Sequence, residues 1–193
     1  MNIFVLDSRP QIAAQFQCDK HVPKMIVENM QMLTTALVKS GVLYQSEMPF
    51  RVDGITRYSG NAYPHHPCTK WVGKDLTTNL ENVSEVDGIN YAWLWINTNQ
   101  LFIEYNRRFN KVHGCLKAYN QLPIPTAHSI QCAKYNMAHN HDFVLAMPDE
   151  YKDPDAVVAY RNYYHSKTFA KWEKDPRPNG NTPYWWKGHK GGI

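Results

Sequence analysis

The fold is decided by residues 18–41, which read CDKHVPKMIVENMQMLTTALVKSG. Apolar side chains recur in this stretch every three or four residues, the spacing of one face of an α-helix. The pattern predicts a first long helix from about Val22 to Gly41, where glycine can close the helix. Asp19 is a candidate N-cap, and Pro23 marks either the first turn or a kink. The apolar positions are Val22, Met25, Ile26, Met30, Leu33 and Leu37.

A second stripe of mainly apolar and aromatic residues predicts another long helix that ends near residue 109. Arg107 and Arg108 would form its basic last turn, and Gly114 would mark the stop beyond it. A third substantial helix is expected from Asp155 to Trp172. The stripe of the second helix consists of Tyr91, Leu94, Trp95, Thr98, Leu101, Phe102, Tyr105 and Phe109.

The other segments predict little regular structure. Residues 3–6 are a short apolar run that fits either one strand or a buried extended segment. Residues 44–67 mix Pro, Gly, Asn and Ser with isolated aromatics, which indicates an ordered surface loop. With 193 residues and 43% hydrophobic content, the chain can bury one core. We therefore expect a mainly α, compact, single-domain protein over residues 1–193, with little or no β-sheet and an irregular aromatic-rich tail at about 173–193.

The amino-acid composition limits the kinds of molecule that the protein is expected to bind. The chain has 21 Lys and Arg against 17 Asp and Glu, and the net charge of +4 suits an anionic partner such as a nucleic acid or a nucleotide. The four cysteines are too scattered for a zinc-binding pair or a disulfide framework, which favours reduced thiols in a cytoplasm. There is no signal-peptide pattern, and no apolar run approaches the roughly 20 residues of a membrane span. We expect a cytoplasmic protein with no membrane partner, metal or cofactor, and leave its oligomeric state open.

The first long helix carries the most informative polar cluster. His21, Lys24 and Glu28 are spaced to share one helix face, and Lys20 lies one turn before Lys24. An exposed Lys–Glu pair is an ordinary surface feature that contributes little. A histidine beside two ammonium groups is biased toward its neutral form, which favours a general base or a polar phosphate ligand. The face is therefore a candidate catalytic site.

Two histidines form a second candidate. His65 and His66 precede Pro67, where a short helix is expected to begin, and a helix N-terminus favours an anion. Loop histidines that simply solvate a turn are an equally good interpretation. We retain both side chains as candidate substrate-binding residues.

The third predicted helix and the tail offer aromatic and cationic groups for a nucleotide. Arg161, Tyr164 and Lys167 fall close together on the helix, and aromatic rings interleaved with cations can stack on bases and meet phosphates. The alternative is that the tyrosines are core residues. Trp185, Trp186 and Lys187 add an aromatic cluster that would either pack back on the helices or wait for a ligand.

Three segments together resemble the bacteriophage pyrimidine-dimer DNA glycosylases of the endonuclease V type. The segment Cys18-Asp19-Lys20-His21-Val22-Pro23-Lys24-Met25 resembles that family's first helix, where Arg-Glu-Leu-Pro-Arg carries the catalytic carboxylate between two arginines. Residues 100–109 are similar to the family's long second helix with its basic-aromatic end. Residues 183–188 resemble its aromatic C-terminus, which contacts DNA. The resemblance implies a small all-helical DNA repair enzyme.

The resemblance also implies a nucleophile. Enzymes of that family attack the sugar with the α-amino group exposed after Met removal, assisted by the glutamate. An α-amine is partly neutral at physiological pH and can form a Schiff base at C1′ of the sugar. Asn2 is thereby a candidate catalytic residue, although the size of asparagine favours retention of Met1.

This chain differs from the family at the position of the catalytic carboxylate. Lys20 and Lys24 stand where the two arginines fall, and His21 stands where the glutamate falls. Glu28 or Asp19 would then have to supply the anion that stabilises an oxocarbenium-like centre.

The leading functional hypothesis is a phage-type enzyme acting at the N-glycosidic bond of a nucleotide unit, most simply a DNA glycosylase for damaged or modified pyrimidines. One alternative is an enzyme that degrades or modifies a free or cyclic nucleotide, or a base-modifying transferase. Another is a non-catalytic module that binds DNA or a host protein.

Overall fold

The protein is mainly α-helical, as predicted from the sequence. The computed structural model describes residues 1–79, 84–135, 143–177 and 182–188, so part of the predicted C-terminal tail lies outside it. No helix in these ranges is long and apolar enough to cross a membrane. The helices are α1 Pro10–Gln15, α2 His21–Lys39, α3 Pro67–Val72, α4 Ile89–Phe109, α5 Leu116–Tyr119, α6 Ala127–Lys134 and α7 Ala156–Tyr164, and the strands are β1 Thr77–Thr78, β2 Glu85–Asp87 and β3 Ile124–Pro125.

The long helices α2 and α4 form the centre of the fold. Helix α4 packs against α1, α2 and α6, and its buried side chains join those of α2 in the hydrophobic core. The packed faces also hold a polar contact: the Asn29 amide donates to Asn97 Oδ1 at 3.2 Å and to Thr98 Oγ1 at 3.0 Å. A buried hydrogen bond of this kind fixes the register of the two helices, because an unpaired amide would cost free energy in the core.

Helix α2 begins at His21, and Pro23 lies in its first turn. Proline is tolerated there because the first N–H groups of a helix have no partner within the helix. Asp19 is not the N-cap. The N-cap position belongs to Lys20, whose side chain makes no capping hydrogen bond, and the Asp19 carboxylate instead binds Arg108 and the backbone N–H of Lys174.

The sheet is a three-stranded patch with the order β1-β2-β3. Strands β1 and β2 are antiparallel, and β2 and β3 are parallel. Residues 3–6 lie outside it and are buried, which excludes the strand. The segment is not extended throughout, because the N–H of Leu6 donates to the carbonyl of Phe4 at 2.8 Å across a tight turn.

The prediction for the third helix is correct at its start and wrong at its end. Asp155 caps α7 by accepting the N–H groups of Val157 and Val158, but the helix ends at Tyr164 rather than at Trp172. Beyond it the chain turns, and the indole Nε1 of Trp172 donates to the carbonyl of Phe16 at 3.0 Å. This long-range hydrogen bond lies in a segment that sequence periodicity alone assigned to the helix.

The last turn of α4 contains a buried charge. Arg107 and Arg108 form the basic last turn that the sequence predicted, and the Arg108 side chain is fully buried. Its guanidinium donates to the carbonyls of Gln15 and Gln17 at 2.9 and 2.8 Å, and to the carboxylates of Glu104 and Asp19 at 3.0 and 3.1 Å. Arg108 therefore ties the end of α4 to the junction between α1 and α2.

Replacing Arg108 with alanine should destabilise the protein strongly. Its loss would leave the carbonyls of Gln15 and Gln17 without this donor and take one partner from the buried Glu104 carboxylate, and breaking a buried ion pair typically costs about 3–5 kcal/mol. We expect a loss of this size in the free energy of unfolding, measured by urea denaturation.

Arg107→Ala is the matched control. Arg107 also pairs with Glu104, but it is 34% exposed and should contribute less than about 1 kcal/mol. Equal losses in the two variants would contradict the central role of Arg108.

Candidate functional site

A carboxylate on α2 meets the amino terminus of the chain. Glu28 Oε2 lies 3.7 Å from the α-ammonium nitrogen of Met1 and accepts the backbone N–H of Asn2 at 3.1 Å. Its other oxygen, Oε1, lies 3.4 Å from Lys24 Nζ. The predicted Lys24–Glu28 pair is therefore present, and a third group, the α-amine, completes it.

The main chain of Met1 is partly exposed while its side chain is anchored. The Met1 side chain is only 3% exposed, yet the residue as a whole is half-buried, so its exposed surface belongs largely to the main chain. The hydroxyl of Thr69 donates to the thioether sulfur at 3.6 Å. Met1 is thus packed into the fold, with its α-amine beside Glu28.

Asn2 positions this end of the chain through its side chain. The Asn2 amide donates to the carbonyl of Ala146 at 2.8 Å, and its Oδ1 accepts the backbone N–H groups of Ile3 and Phe4 at 2.7 and 3.2 Å. Asn2 is only 6% exposed. Its contribution to the site is to hold the first residues in a turn against Glu28.

Phe4 carries backbone strain beside the site. Its φ of 39° lies in the left-handed region, which is unfavourable for a bulky residue and persists only where the surroundings enforce it. Its ring stacks on the imidazole of His21, with centroids 4.5 Å apart, and on Tyr163 at 6.2 Å. Phe4 therefore joins α2 to α7 next to the amino terminus.

His21 is inside the protein rather than on the exposed face that its spacing predicted. It is 2% exposed, and its Nδ1 lies 2.8 Å from the Tyr164 hydroxyl, which also accepts the backbone N–H of Cys18. Burial, followed by the charges of Lys24, Lys167 and Lys20, lowers the pKa of His21 to about 3. His21 is neutral at physiological pH, and its hydrogen bond with the Tyr164 hydroxyl holds the start of α2 against α7.

The histidines before α3 have different environments. His66 is half-buried and caps α3, with Nδ1 accepting the N–H of Cys68 at 3.2 Å. Burial and the α-ammonium group lower the pKa of His66, whereas Glu28 raises it, so His66 senses the amine–carboxylate pair electrostatically. His65 is exposed on the preceding loop.

The α7 and tail residues form a separate aromatic cluster. Tyr164 is fully buried, and Trp185 is nearly so, which leaves neither ring free to stack on a base. Arg161 donates to the carbonyl of Leu6 at 2.9 Å and lies 5.5 Å over the ring of Tyr184. Trp185 and Trp186 therefore pack back on the helices, one of the two interpretations that the sequence allowed, whereas Tyr184 is 81% exposed.

The other predicted cations remain at the surface. Lys20 Nζ lies 4.7 Å over the ring of Phe169, and Lys167 Nζ lies 3.4 Å over the ring of Tyr163. Lys187 is exposed, and Trp186 stacks on His165 at 4.8 Å.

The structure thus gathers part of the predicted site and adds groups that the sequence did not reveal. Lys24, Glu28 and His66 lie around the amino terminus, while Arg161 and Trp185 belong to the aromatic cluster. Met1 and Phe4 were missed because their contacts join segments that are distant along the chain. Within the described ranges, no group of three or more His, Cys, Asp or Glu side chains is arranged to hold a metal ion.

No protein-family model, curated protein or solved structure matches this chain. The chemistry that the site can perform follows from its own groups. An amine beside a carboxylate can act as a nucleophile whose proton has an acceptor within reach, and a neighbouring lysine can hold an anionic substrate.

His21 should make the protein less stable in acid. An unfolded histidine binds its proton near pH 6.5, and folded His21 does so only near 3. Between these values the unfolded state binds more protons, so the free energy of unfolding should fall as the pH falls, by up to about 1.4 kcal/mol per pH unit. Urea denaturation at several pH values should show a shallower slope for His21→Asn.

His65→Gln serves as the control for this slope, since it changes an exposed histidine. A slope that is identical in wild-type protein and His21→Asn would show that His21 does not titrate in this way.

Proposed function

We propose that the protein is an enzyme that cleaves the N-glycosidic bond of a nucleotide unit, most simply a DNA glycosylase for damaged or modified pyrimidines. The observation that carries the proposal is the α-amine of Met1, which lies 3.7 Å from the carboxylate of Glu28. An amine nucleophile paired with a carboxylate is the chemistry that the sequence resemblance implies. In this chain the carboxylate comes from Glu28, two turns beyond His21.

The proposed reaction proceeds through a Schiff base. The unprotonated Met1 nitrogen forms a bond to C1′ of the sugar as the bond from C1′ to the base breaks, and the base leaves with that electron pair and takes up a proton. Glu28 accepts the proton that the attacking nitrogen loses and delivers one to O4′ as the sugar ring opens. The C1′–N bond becomes an iminium, which water hydrolyses to the abasic aldehyde and the free amine.

The charges around the pair fit this sequence of steps. A positive charge develops on the sugar as the base departs, and the Glu28 carboxylate stabilises it electrostatically. Lys24 is 60% exposed, so its ammonium group can leave the exposed ion pair at little cost and bind a phosphate. Lys20, one turn earlier, extends the cationic surface for the adjoining phosphate.

Asn2 and His21 act as positioning residues in this proposal. Asn2 fixes the turn that places the amine, and His21 holds Phe4 and Tyr164 behind it. Neither side chain needs to contact the substrate, which agrees with their burial.

Borohydride trapping tests the proposed nucleophile. Incubation with duplex DNA containing damaged or modified pyrimidines should yield a covalent protein–DNA adduct when borohydride reduces the Schiff base. Glu28→Gln should lower the trapping rate by roughly 10²–10⁴-fold, the usual contribution of a general acid–base group. Glu173→Gln, a change at a 68% exposed glutamate, should trap like the wild type.

Peptide mapping of the adduct gives the decisive result. The DNA should be attached to the Met1 nitrogen, and a chain extended by several residues before Met1 should form no adduct. Attachment to a lysine, or undiminished trapping by the extended chain, would contradict the α-amine as nucleophile.

A free nucleotide is the second candidate substrate, favoured by the net charge of only +4. Duplex binding releases counterions, so DNA affinity falls steeply as the salt concentration rises. A weak dependence of affinity on salt would favour the free nucleotide over duplex DNA.

A further inference from the structure

A cavity of about 560 Å³ opens beside α2, and its lining residue Gln31 lies about one helical turn beyond Glu28. Its volume falls in the range of about 300–1,000 Å³ that is typical of small-ligand sites. Val27 and Gln31 of α2 line one side, and Val52, Tyr58 and Cys115 line the others. The cavity shares no lining residue with the site described above.

The walls of the cavity are held in place by the loop before α3. Thr35 of α2 accepts the N–H of Ala62 at 3.0 Å and donates to its carbonyl at 3.1 Å. A side chain at Gly60 would collide with Val38, because its Cβ would lie 2.3 Å from Val38 Cγ2. The buried hydroxyl of Tyr58 donates to the sulfur of Cys115 at 3.1 Å. The shape of the cavity is therefore fixed by contacts within the fold.

The lining suits a neutral, polar ligand. Arg51 and Asp53 supply one charge of each sign. His113 is held by accepting the N–H of Cys115 at 3.2 Å, and burial lowers its pKa, so it adds no charge near pH 7. The Gln31 side-chain amide has no hydrogen-bond partner among the described residues, and it offers both a donor and an acceptor.

The groups of the proposed site and the cavity follow one another along the axis of α2. Lys24 lies at the cationic end, Glu28 and the amine come one turn later, and Gln31 lies at the cavity. Lys24 and Gln31 are seven residues apart, so they share a face and are separated by about 10 Å along the helix axis. Phosphate, sugar and base follow one another in the same order in a nucleotide, and a single nucleotide spans that distance.

We propose that this cavity binds the base of the nucleotide, with the Gln31 amide hydrogen-bonded to the polar edge of the base and the valine side chains against its faces. The assignment rests on the proposed function, because the sugar must lie at Glu28 for the base to reach the cavity. A base inside a duplex is buried in the stack, so the enzyme would receive it extruded.

Ligand-observed NMR with thymidine and cytidine tests the cavity without requiring turnover. Saturation transfer should be strongest to the base protons. Gln31→Ala should weaken binding roughly three- to tenfold, the equivalent of one net hydrogen bond. Val52→Trp, at a position that is 75% exposed, should block the cavity and abolish binding.

Gln131→Ala is the matched control, since it removes an exposed glutamine from α6, outside the cavity. Circular dichroism verifies that each variant is folded. Failure of wild-type protein to bind either nucleoside, or equal binding by wild type, Gln31→Ala and Val52→Trp, would overturn the proposal.

The proposed reaction and the proposed base-binding cavity can be tested independently. Glu28→Gln should still bind the nucleosides, because Glu28 does not line the cavity. If nucleosides bind in the cavity but no adduct is trapped, the proposed reaction is wrong and the cavity assignment stands. If an adduct forms but cavity variants bind and react normally, the base binds elsewhere.

Discussion

The buried guanidinium of Arg108 is the interaction on which the geometry of the molecule depends. A guanidinium cannot lose its charge in a protein, so each of its N–H groups must find an acceptor once water is excluded. The acceptors come from α4 itself, from the carbonyls of Gln15 and Gln17 at the junction between α1 and α2, and from Asp19 before α2. This requirement holds the start of α2 against the end of α4, and the apolar spacing of α2 then decides which of its residues face outward.

The position of Glu28 follows from that constraint together with the strained segment at the amino terminus. Once α2 starts at His21, Glu28 faces the space that the first two residues occupy, and Asn2 folds them toward it. Three polar groups then meet a single carboxylate, two of them main-chain nitrogens. The reactive character of the site comes as much from backbone placement as from side-chain identity.

The sequence predicted the parts of the structure that depend on local periodicity. The repeat of apolar residues predicted α2, and the aromatic stripe predicted α4. The four-residue spacing of Lys24 and Glu28 predicted their ion pair. The predictions were wrong where contacts between residues far apart in the sequence determine the structure. The indole of Trp172 donates to the carbonyl of Phe16 in a segment predicted to be helical, and the ring of Phe4 helps to bury His21. The burial of Arg108 likewise depends on acceptors that no local pattern reveals. The cavity beside Gln31 needs a loop whose path no local pattern encodes.

The conformation of Phe4 makes its side chain hard to replace. Glycine would relieve the unfavourable φ at residue 4. It would also remove a ring that is 5% exposed and lies between His21 and Tyr163, and truncating a buried aromatic side chain typically costs about 3–5 kcal/mol. This loss exceeds the relieved backbone strain, which is of order 1–3 kcal/mol. Selection for stability and selection for a fixed amino terminus therefore both retain the aromatic ring, and the strained backbone persists with it.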